Sequence, residues 1–332
     1  MRNELDAVPA AYRATAASML NGAFGATPPD AVVPLRGGAS TAMLFRIEHR
    51  GRRYLLRIEG QASPLRNPEQ YVSMRMAVDA GLAPRILHID EACRAVVMDF
   101  VAEQPLARYP GGPAALLQAI GELIRRLQDG PVFPAFVQYP DIVTRLLTYV
   151  SQTGLFVDGL MAPHLARLAD VAAAWSPPAL VSSHNDLNPR NILFDGERLW
   201  VIDWESAYRN DALTDVAVVL DNLAPTADLE DVLLTAWLGR APNAAVRARL
   251  ALLRSLTRLY YAGGLLSGLM AHPREEPDGD LAAPSLAQFE RAVRDGRLKP
   301  GSRAMLHTMG KMYLASFLSG GPVPPLRDAV VG

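Results

Sequence analysis

The chain has 332 residues, half of them hydrophobic, with 33 basic against 34 acidic side chains and a formal charge of −1. So even a balance argues against a nucleic-acid partner, which needs a basic face, and there is no run of about 18 uncharged apolar residues to insert into a membrane. The single cysteine, Cys93, excludes an internal disulfide and a cysteine metal cluster, and within a strand pattern it reads as a small core residue.

At the N-terminus Arg2, Glu4 and Asp6 precede a short alanine-rich helix, without the basic start and continuous apolar stretch of a signal peptide, so a cytoplasmic protein is expected. Residues 32–35 read as a strand, 36–41 as a turn and 42–48 as the next strand, with apolar and polar residues roughly alternating. In the turn, Gly37 and Gly38, with the hydroxyl of Ser40 after them, let backbone N–H groups approach phosphates closely. A Gly-Gly hairpin is also often only a hairpin. Arg57 lies on the strand that follows, where an arginine is usually a solvated edge residue. Pro68 and Glu69 open a helix running to about Ala80, with Gly81 as its stop. Residues 85–89 and 94–100 form two more strands around an acidic turn at Asp90 and Glu91. Pro105 and the run Pro110-Gly111-Gly112-Pro113 then break the pattern, which places a boundary near residue 102 between an N-terminal lobe, 1–102, and a C-terminal lobe, 103–332. Beyond it, residues 114–127, 141–153, 161–175, 229–237 and 245–270 have helical spacing of apolar positions and read as ordinary core stripes.

The densest chemistry lies in His184-Asn185-Asp186-Leu187-Asn188-Pro189-Arg190-Asn191, with Asp203 twelve residues after Asn191 in Val201-Ile202-Asp203-Trp204-Glu205. A short apolar run at 179–181 enters this segment and another at 191–194 leaves it. Asp195-Gly196 is a two-residue hairpin signal, and 199–202 returns as the partner strand, delivering Asp203 at its end. An Asp beside a substrate hydroxyl, an Asn five residues on and a second Asp on a neighbouring strand are what phosphoryl transfer needs: a carboxylate to orient and deprotonate the hydroxyl, and oxygen ligands for Mg2+. Taken singly, each of these residues is also a common turn former.

The pattern His-x-Asp-x-x-x-x-Asn followed by Ile-Asp-Trp-Glu is met at every position, and it resembles the catalytic loop and metal-binding strand of the aminoglycoside phosphotransferase and choline kinase superfamily, small-molecule relatives of protein kinases. His-Asn-Asp-Leu and the run from Ile202 to Asp211 are most similar to bacterial choline and ethanolamine kinases. The resemblance implies an α+β, bilobal, protein-kinase-like fold: a small N-lobe with an antiparallel sheet and a helix, and a larger, mainly helical C-lobe. It implies ATP and Mg2+ as cofactors, with GTP an open alternative donor, Asp186 as catalytic base, His184 as the brace of the loop, and Asn191 and Asp203 as the metal ligands. The only lysines are Lys299 and Lys311, so the phosphate-holding lysine of a kinase third strand is absent. Arg57, in Leu55-Leu56-Arg57-Ile58-Glu59-Gly60, is similar to the arginine of choline kinases at that place and offers a planar fork of donors. Glu69 is its expected helix partner. Val96 to Val101 resembles the hinge of kinase-like folds, which places Met98, Asp99 and Phe100 at the adenine edge, and also reads as a buried central strand.

From Asp203 to Asp231 there are eight acidic residues against one basic residue, Arg209. Such a wall would attract a cationic acceptor, and the same charges would equally suit solvated helix faces. Choline kinases resemble one another in an aromatic cage with an acidic residue nearby, a cation–π arrangement. Here Tyr260 or Tyr261, with Asp221 and Glu205, are the candidate acceptor-binding residues. The family's acid seven positions after the equivalent of Asp215 is replaced by Asn222, and Tyr260, Tyr261, Phe289, Tyr313 and Phe317 also fit as core of amphipathic helices. The expectation is a kinase acting on a hydroxyl of a small, cationic molecule, choline or ethanolamine first, an aminoglycoside or other amino alcohol next. A catalytically silent nucleotide-binding regulator is the reading from another class. A metal hydrolase fails, because His49, His88, His164, His272 and His307 offer His184 no second histidine at ligand spacing. Residues 272–299 read as a loop over the acceptor site or as a surface excursion.

Overall fold

Alternation along two strands decides where the first core forms. The computed structural model describes residues 5–35, 42–60, 66–271 and 276–326, and Gly37, Gly38 and Ser40 lie outside them. After α1 (Arg13–Phe24) come β1 (Ala31–Leu35), β2 (Met43–His49), β3 (Arg52–Ile58), α2 (Gln70–Asp79), β4 (Ile86–Asp90) and β5 (Ala95–Asp99). The strands make one antiparallel sheet in the order β1-β2-β3-β5-β4. Successive side chains of a strand face opposite ways. Phe45 and Ile47 of β2, Tyr54, Leu56 and Ile58 of β3, and Ala95 and Val97 of β5 therefore share the face that packs on Ala16, Met19 and Leu20 of α1. Arg57 falls on the opposite face, out of register with the apolar set. Cys93 is not a strand residue: it sits in the β4–β5 turn, where its N–H donates to Asp90 Oδ1 at 2.9 Å and its side chain packs, half-buried, against the same core.

The chain divides into two compact units, one reaching to Tyr109 and taking in Asn191–Ala207, the other made of Pro110–Arg190 and the chain from Tyr208 on. The expected boundary near 102 thus moves to Tyr109, and the motif segment is divided at Arg190/Asn191. The second unit begins with α3 (Gly112–Asp129), α4 (Tyr139–Gln152), α5 (Ala162–Ala174) and the strand β6 (Leu180–Ser183). The chain then returns to the first unit for the hairpin β7 (Ile192–Phe194) and β8 (Leu199–Val201). Its loop has four residues rather than two. Gly196 takes φ +102°, which only glycine adopts without strain, and Asp195 Oδ1 accepts from the N–H groups of Glu197 and Arg198 at 2.8 Å each.

Back in the second unit, β9 (Tyr208–Asp211) pairs antiparallel with β6, and α6 (Leu213–Leu223), α7 (Ala227–Leu238), α8 (Ala244–Ser267), α9 (Leu286–Arg294) and α10 (Arg303–Ser319) follow. Helix α8 is the axis of this unit: α4, α6 and α10 all pack on it, and its Leu250, Leu253, Leu256, Leu259 and Leu266 are buried. Gly121 lets α3 approach α7, since a Cβ there would meet the Leu233 carbonyl oxygen at 2.7 Å. Among the described residues no helix is long and apolar enough to cross a membrane.

Candidate active site

The β7–β8 hairpin brings the two expected metal ligands together. Its register pairs Ile192 with Val201, and the Ile202 N–H donates to the Asn191 carbonyl at 3.0 Å, so at the open end Asn191 lies opposite Ile202, the residue before Asp203. Asp203 turns the chain with φ 65° and ψ 58° into a short 3-10 turn, Trp204–Ser206. That left-handed conformation is unfavourable for most L-residues and best tolerated by Asn and Asp. The turn is fixed from α2 and the residues before it: Asn67 Nδ2 and Ser73 Oγ both donate to the Ala207 carbonyl, at 2.6 and 2.9 Å, and the Asn67 N–H donates to the Glu205 carbonyl at 2.9 Å. An amide oxygen and a carboxylate are hard donors of the kind Mg2+ takes. Among the described residues no group of three or more His, Cys, Asp or Glu is arranged to hold a metal ion.

Arg57 is buried between two carboxylates. Its Nη1 lies 2.6 Å from Asp203 and its Nη2 2.7 Å from Glu205. Burial opposes its charge, but Asp203, Glu205 and Glu59 outweigh that and hold the guanidinium ionised above its ordinary value. Arg66 links Glu205 to Glu59, at 2.9 Å each. Burial, then the Asp203 charge, pushes the Glu205 carboxyl up against the pull of the two arginines. Two expectations are corrected here. The Arg57–Glu69 pair does not form, because α2 starts at Gln70 and leaves Glu69 exposed at the N-cap position while Arg57 is buried. Glu205 belongs to this arginine cluster rather than to an acceptor site. The hinge expectation changes in detail: Met98 is buried in β5 opposite Leu55, and the N–H groups of Asp99 and Phe100 donate to the carbonyls of Arg85 and Arg53, so neither amide faces a base. The Asp99 carboxylate pairs with Arg85 at the surface.

In the second unit the loop after β6 is braced by a residue to which sequence reading gave no role. Asp215, fully buried on α6, accepts from the N–H of His184 through Oδ2 and from the N–H of Asn185 through Oδ1, both at 2.8 Å. Burial pushes its carboxyl up, opposed by His184 and by these amides. A lone carboxylate inside the apolar run Leu213-Thr214-Asp215-Val216-Ala217-Val218-Val219 was the available signal, since a buried acid needs internal partners. Asn185 is left-handed at φ 64°, and its side chain is clamped by Asn210 Nδ2 at 2.7 Å and by the Tyr208 carbonyl at 3.2 Å. The turn places Asp186 where Tyr261 Oη donates to its Oδ1 at 2.7 Å and Asn188 Nδ2 donates to the same oxygen at 3.0 Å. His184 is fully buried at the start of this loop.

Half of the acidic wall is neutralised from α8. Asp221 pairs with Arg254 at 3.0 Å and with Arg258 at 2.7 Å, Glu230 with Arg254 at 2.5 Å, Asp231 with Arg247 at 2.6 Å, and the buried Asp211 with Arg249. Asp221, expected to face a cation, is thus committed to two guanidinium groups; its excess of acid was an artefact of counting along the chain while the balancing arginines lay a helix away. Tyr260 and Tyr261 stand edge to face, with centroids 5.6 Å apart, and Tyr139 and Tyr313 add rings at 5.8 Å from Tyr260 and 6.4 Å from Tyr261. Of the 272–299 segment, the described part is tied down at Asp278, whose backbone bonds Leu155 and Val157 and whose carboxylate takes Lys311 at 3.0 Å.

Residues 31–253 match the family model described as a phosphotransferase enzyme family. Over 92% of this chain and 99% of the other, the structure is similar to a choline/ethanolamine kinase family protein from Mesorhizobium loti, with a TM-score of 0.61 and 25% identity. It is similar, too, to the choline kinase LicA from Streptococcus pneumoniae, with a TM-score of 0.64 and 13% identity over 91% of this chain and 98% of that one. A stretch of 54 residues is 39% identical to the protein LicA of Haemophilus influenzae, covering 16% of this chain and 20% of that protein, so the match spans only a fifth of that relative's length. The α+β arrangement, a five-stranded antiparallel sheet in the N-terminal part followed by a mainly helical part, is the kinase-like fold of these proteins.

Proposed function

We propose that this chain, which belongs to the phosphotransferase enzyme family, transfers the γ-phosphoryl group of ATP to the hydroxyl of a small amino alcohol of the choline and ethanolamine class. The observation that supports this most directly is the hairpin that brings Asn191 opposite Ile202, next to Asp203 in the chain, directly after the loop carrying Asp186. Phosphoryl transfer asks a protein mainly for positioning and charge. Asp186 orients the acceptor hydroxyl and takes its proton. Arg57, kept charged by its carboxylate neighbours, donates to phosphate oxygens as a planar fork. Asn191 and Asp203 are the residues that would hold Mg2+, which when bound offsets the negative charge of the phosphates.

The acceptor class follows from what remains once half of the acidic wall is neutralised. With Asp221 paired to arginine, recognition of a cationic head falls to an aromatic face, and the half-buried Tyr260 stands against Tyr261, whose phenol reaches the proposed base. The likeness to a choline/ethanolamine kinase family protein along the whole chain favours the same class.

Mg2+-dependent release of ADP from ATP, measured across choline, ethanolamine, an aminoglycoside and a neutral sugar, tests the proposal. Turnover with one of the first two, abolished in Asp186→Asn while nucleotide still binds, is the expected result. Normal turnover in that variant would remove Asp186 from the mechanism, turnover with the aminoglycoside alone would overturn the acceptor class, and silence across the panel with ATP bound would point to a regulatory nucleotide-binding protein.

A further inference from the structure

We propose that Tyr261 is a positioning residue for the transfer, its phenol fixing and orienting the Asp186 carboxylate that takes the acceptor's proton. This rests on the reading of Asp186 as the base. Tyr261 was expected as a wall of a cage, presenting its ring to a cation. In the structure its polar end is aimed at Asp186 Oδ1 from α8, at 2.7 Å, and the ring is set edge to face against Tyr260 and Tyr313, at interplanar angles of 78° and 64°. Burial, then the neighbouring Asp186 charge, pushes the phenol well above its ordinary value, so it is an O–H donor at neutral pH.

Asn188 Nδ2 donates to the same Oδ1 at 3.0 Å. Hydrogen bonds to an ionised acceptor are about twice as strong as neutral ones, and two on one oxygen fix the carboxylate plane and draw charge onto Oδ1. In the transfer, the acceptor O–H proton passes to the Asp186 carboxylate, the acceptor oxygen forms a bond to the γ-phosphorus, the bond from that phosphorus to the β–γ bridging oxygen breaks, and ADP leaves. The Tyr261 proton stays where it is. Other titratable or charged groups near Asp186 include Arg190 on the same loop, whose charge acts on it, Tyr139 on α4, Tyr260 beside Tyr261, and His184 and Asp215 at the loop's start. Tyr261→Phe replaces none of them.

Titration of the aspartate carboxyl carbons by NMR in selectively 13C-labelled protein tests this without an acceptor, the Asp186 signal being identified by its loss in Asp186→Asn. In Tyr261→Phe the Asp186 carboxyl is expected to titrate roughly one pH unit higher. The acid limb of kcat moves with it, and kcat falls about tenfold or more at an unchanged KM for ATP. Asn188→Ala moves the titration the same way and serves if Tyr261→Phe fails to fold. A cage wall behaves otherwise: Tyr261→Phe, which keeps the ring, leaves titration and kcat unchanged, while Tyr261→Leu raises the KM of the acceptor alone. That pattern overturns the proposal. Failure of the base reading is separate, since it shows as normal turnover in Asp186→Asn whatever Tyr261 does.

Discussion

Replacing Asp215 by alanine is the sharpest test of how the site is held. The side chain touches no expected substrate, yet its two oxygens accept the N–H groups of His184 and Asn185 at 2.8 Å each from a fully buried position. Asp215→Ala removes both of these bonds, at about 1–3 kcal/mol each. Relief from burying a carboxylate, which the raised pKa reports, offsets part of this, so a net destabilisation of about 2–4 kcal/mol is expected. At about 2–4 °C per kcal/mol for a unit of this size, the melting temperature falls by roughly 5–15 °C. Asp215→Asn keeps one carbonyl oxygen for one amide and sets an NH2 against the other, for about half the loss. Because Asp186 follows directly on the braced amides, turnover should fall about tenfold or more in both variants while nucleotide affinity changes little. Calorimetric melts and single-turnover assays measure the two effects. An Asp215→Ala protein within about 0.5 kcal/mol of the parent, with turnover intact, would refute the bracing role.

Two further outcomes concern the ion pairs of the helical unit. Asp221→Ala leaves Arg254 and Arg258 without their shared carboxylate in a mostly buried setting, and urea unfolding should register a loss of about 3 kcal/mol; a change near zero would mean that Glu230, Ser316 and the Gly321 carbonyl suffice for the two guanidinium groups. Asp278 is pulled two ways: burial raises its carboxyl, but the hydrogen bond from Lys311 and that of the Asp280 amide outweigh burial and hold it below the ordinary 3.8. Its folded pKa is therefore below the unfolded one, so its contribution is complete above the unfolded value and is lost as pH falls through the folded one. The difference in melting temperature between the parent and Asp278→Asn should shrink below about pH 4, and a difference constant down to pH 3 would refute the linkage.

What the sequence disclosed and what it hid divide along physical lines. The sheet was legible because alternation has a period of two residues and needs no knowledge of partners, and the β7–β8 hairpin because Asp195 and Gly196 fix it locally. The approach of Asn191 to Ile202, the residue before Asp203, followed from that hairpin alone. Partners distant in the chain were not legible. Arg57 was singled out with Glu69 as its partner, but its companions are Asp203 and Glu205, 146 and 148 residues further on. The brace at Asp215 needed the β6–β9 pairing, which sets α6 under the loop, and β9 carries too few apolar residues to stand out as a strand.

The same separation explains why charge counted along the chain misjudged the acceptor site. Eight acids between residues 203 and 231 with only Arg209 among them read as a negative wall. Helix α8 puts Arg247, Arg254 and Arg258 one to two turns apart, and these three, with Arg249, meet Asp231, Glu230, Asp221 and Asp211. A guanidinium reaches two carboxylates at once, as Arg254 does with Asp221 and Glu230, so a few arginines on one helix cancel much of the field that would steer a cation from a distance. Long-range attraction is thereby traded for rigidity of α8, and α8 is the element that carries Tyr260 and Tyr261. The acid segment thus acts on the proposed reaction through the helix it anchors: the arginines fix α8, α8 fixes the Tyr261 phenol, and the phenol fixes Asp186.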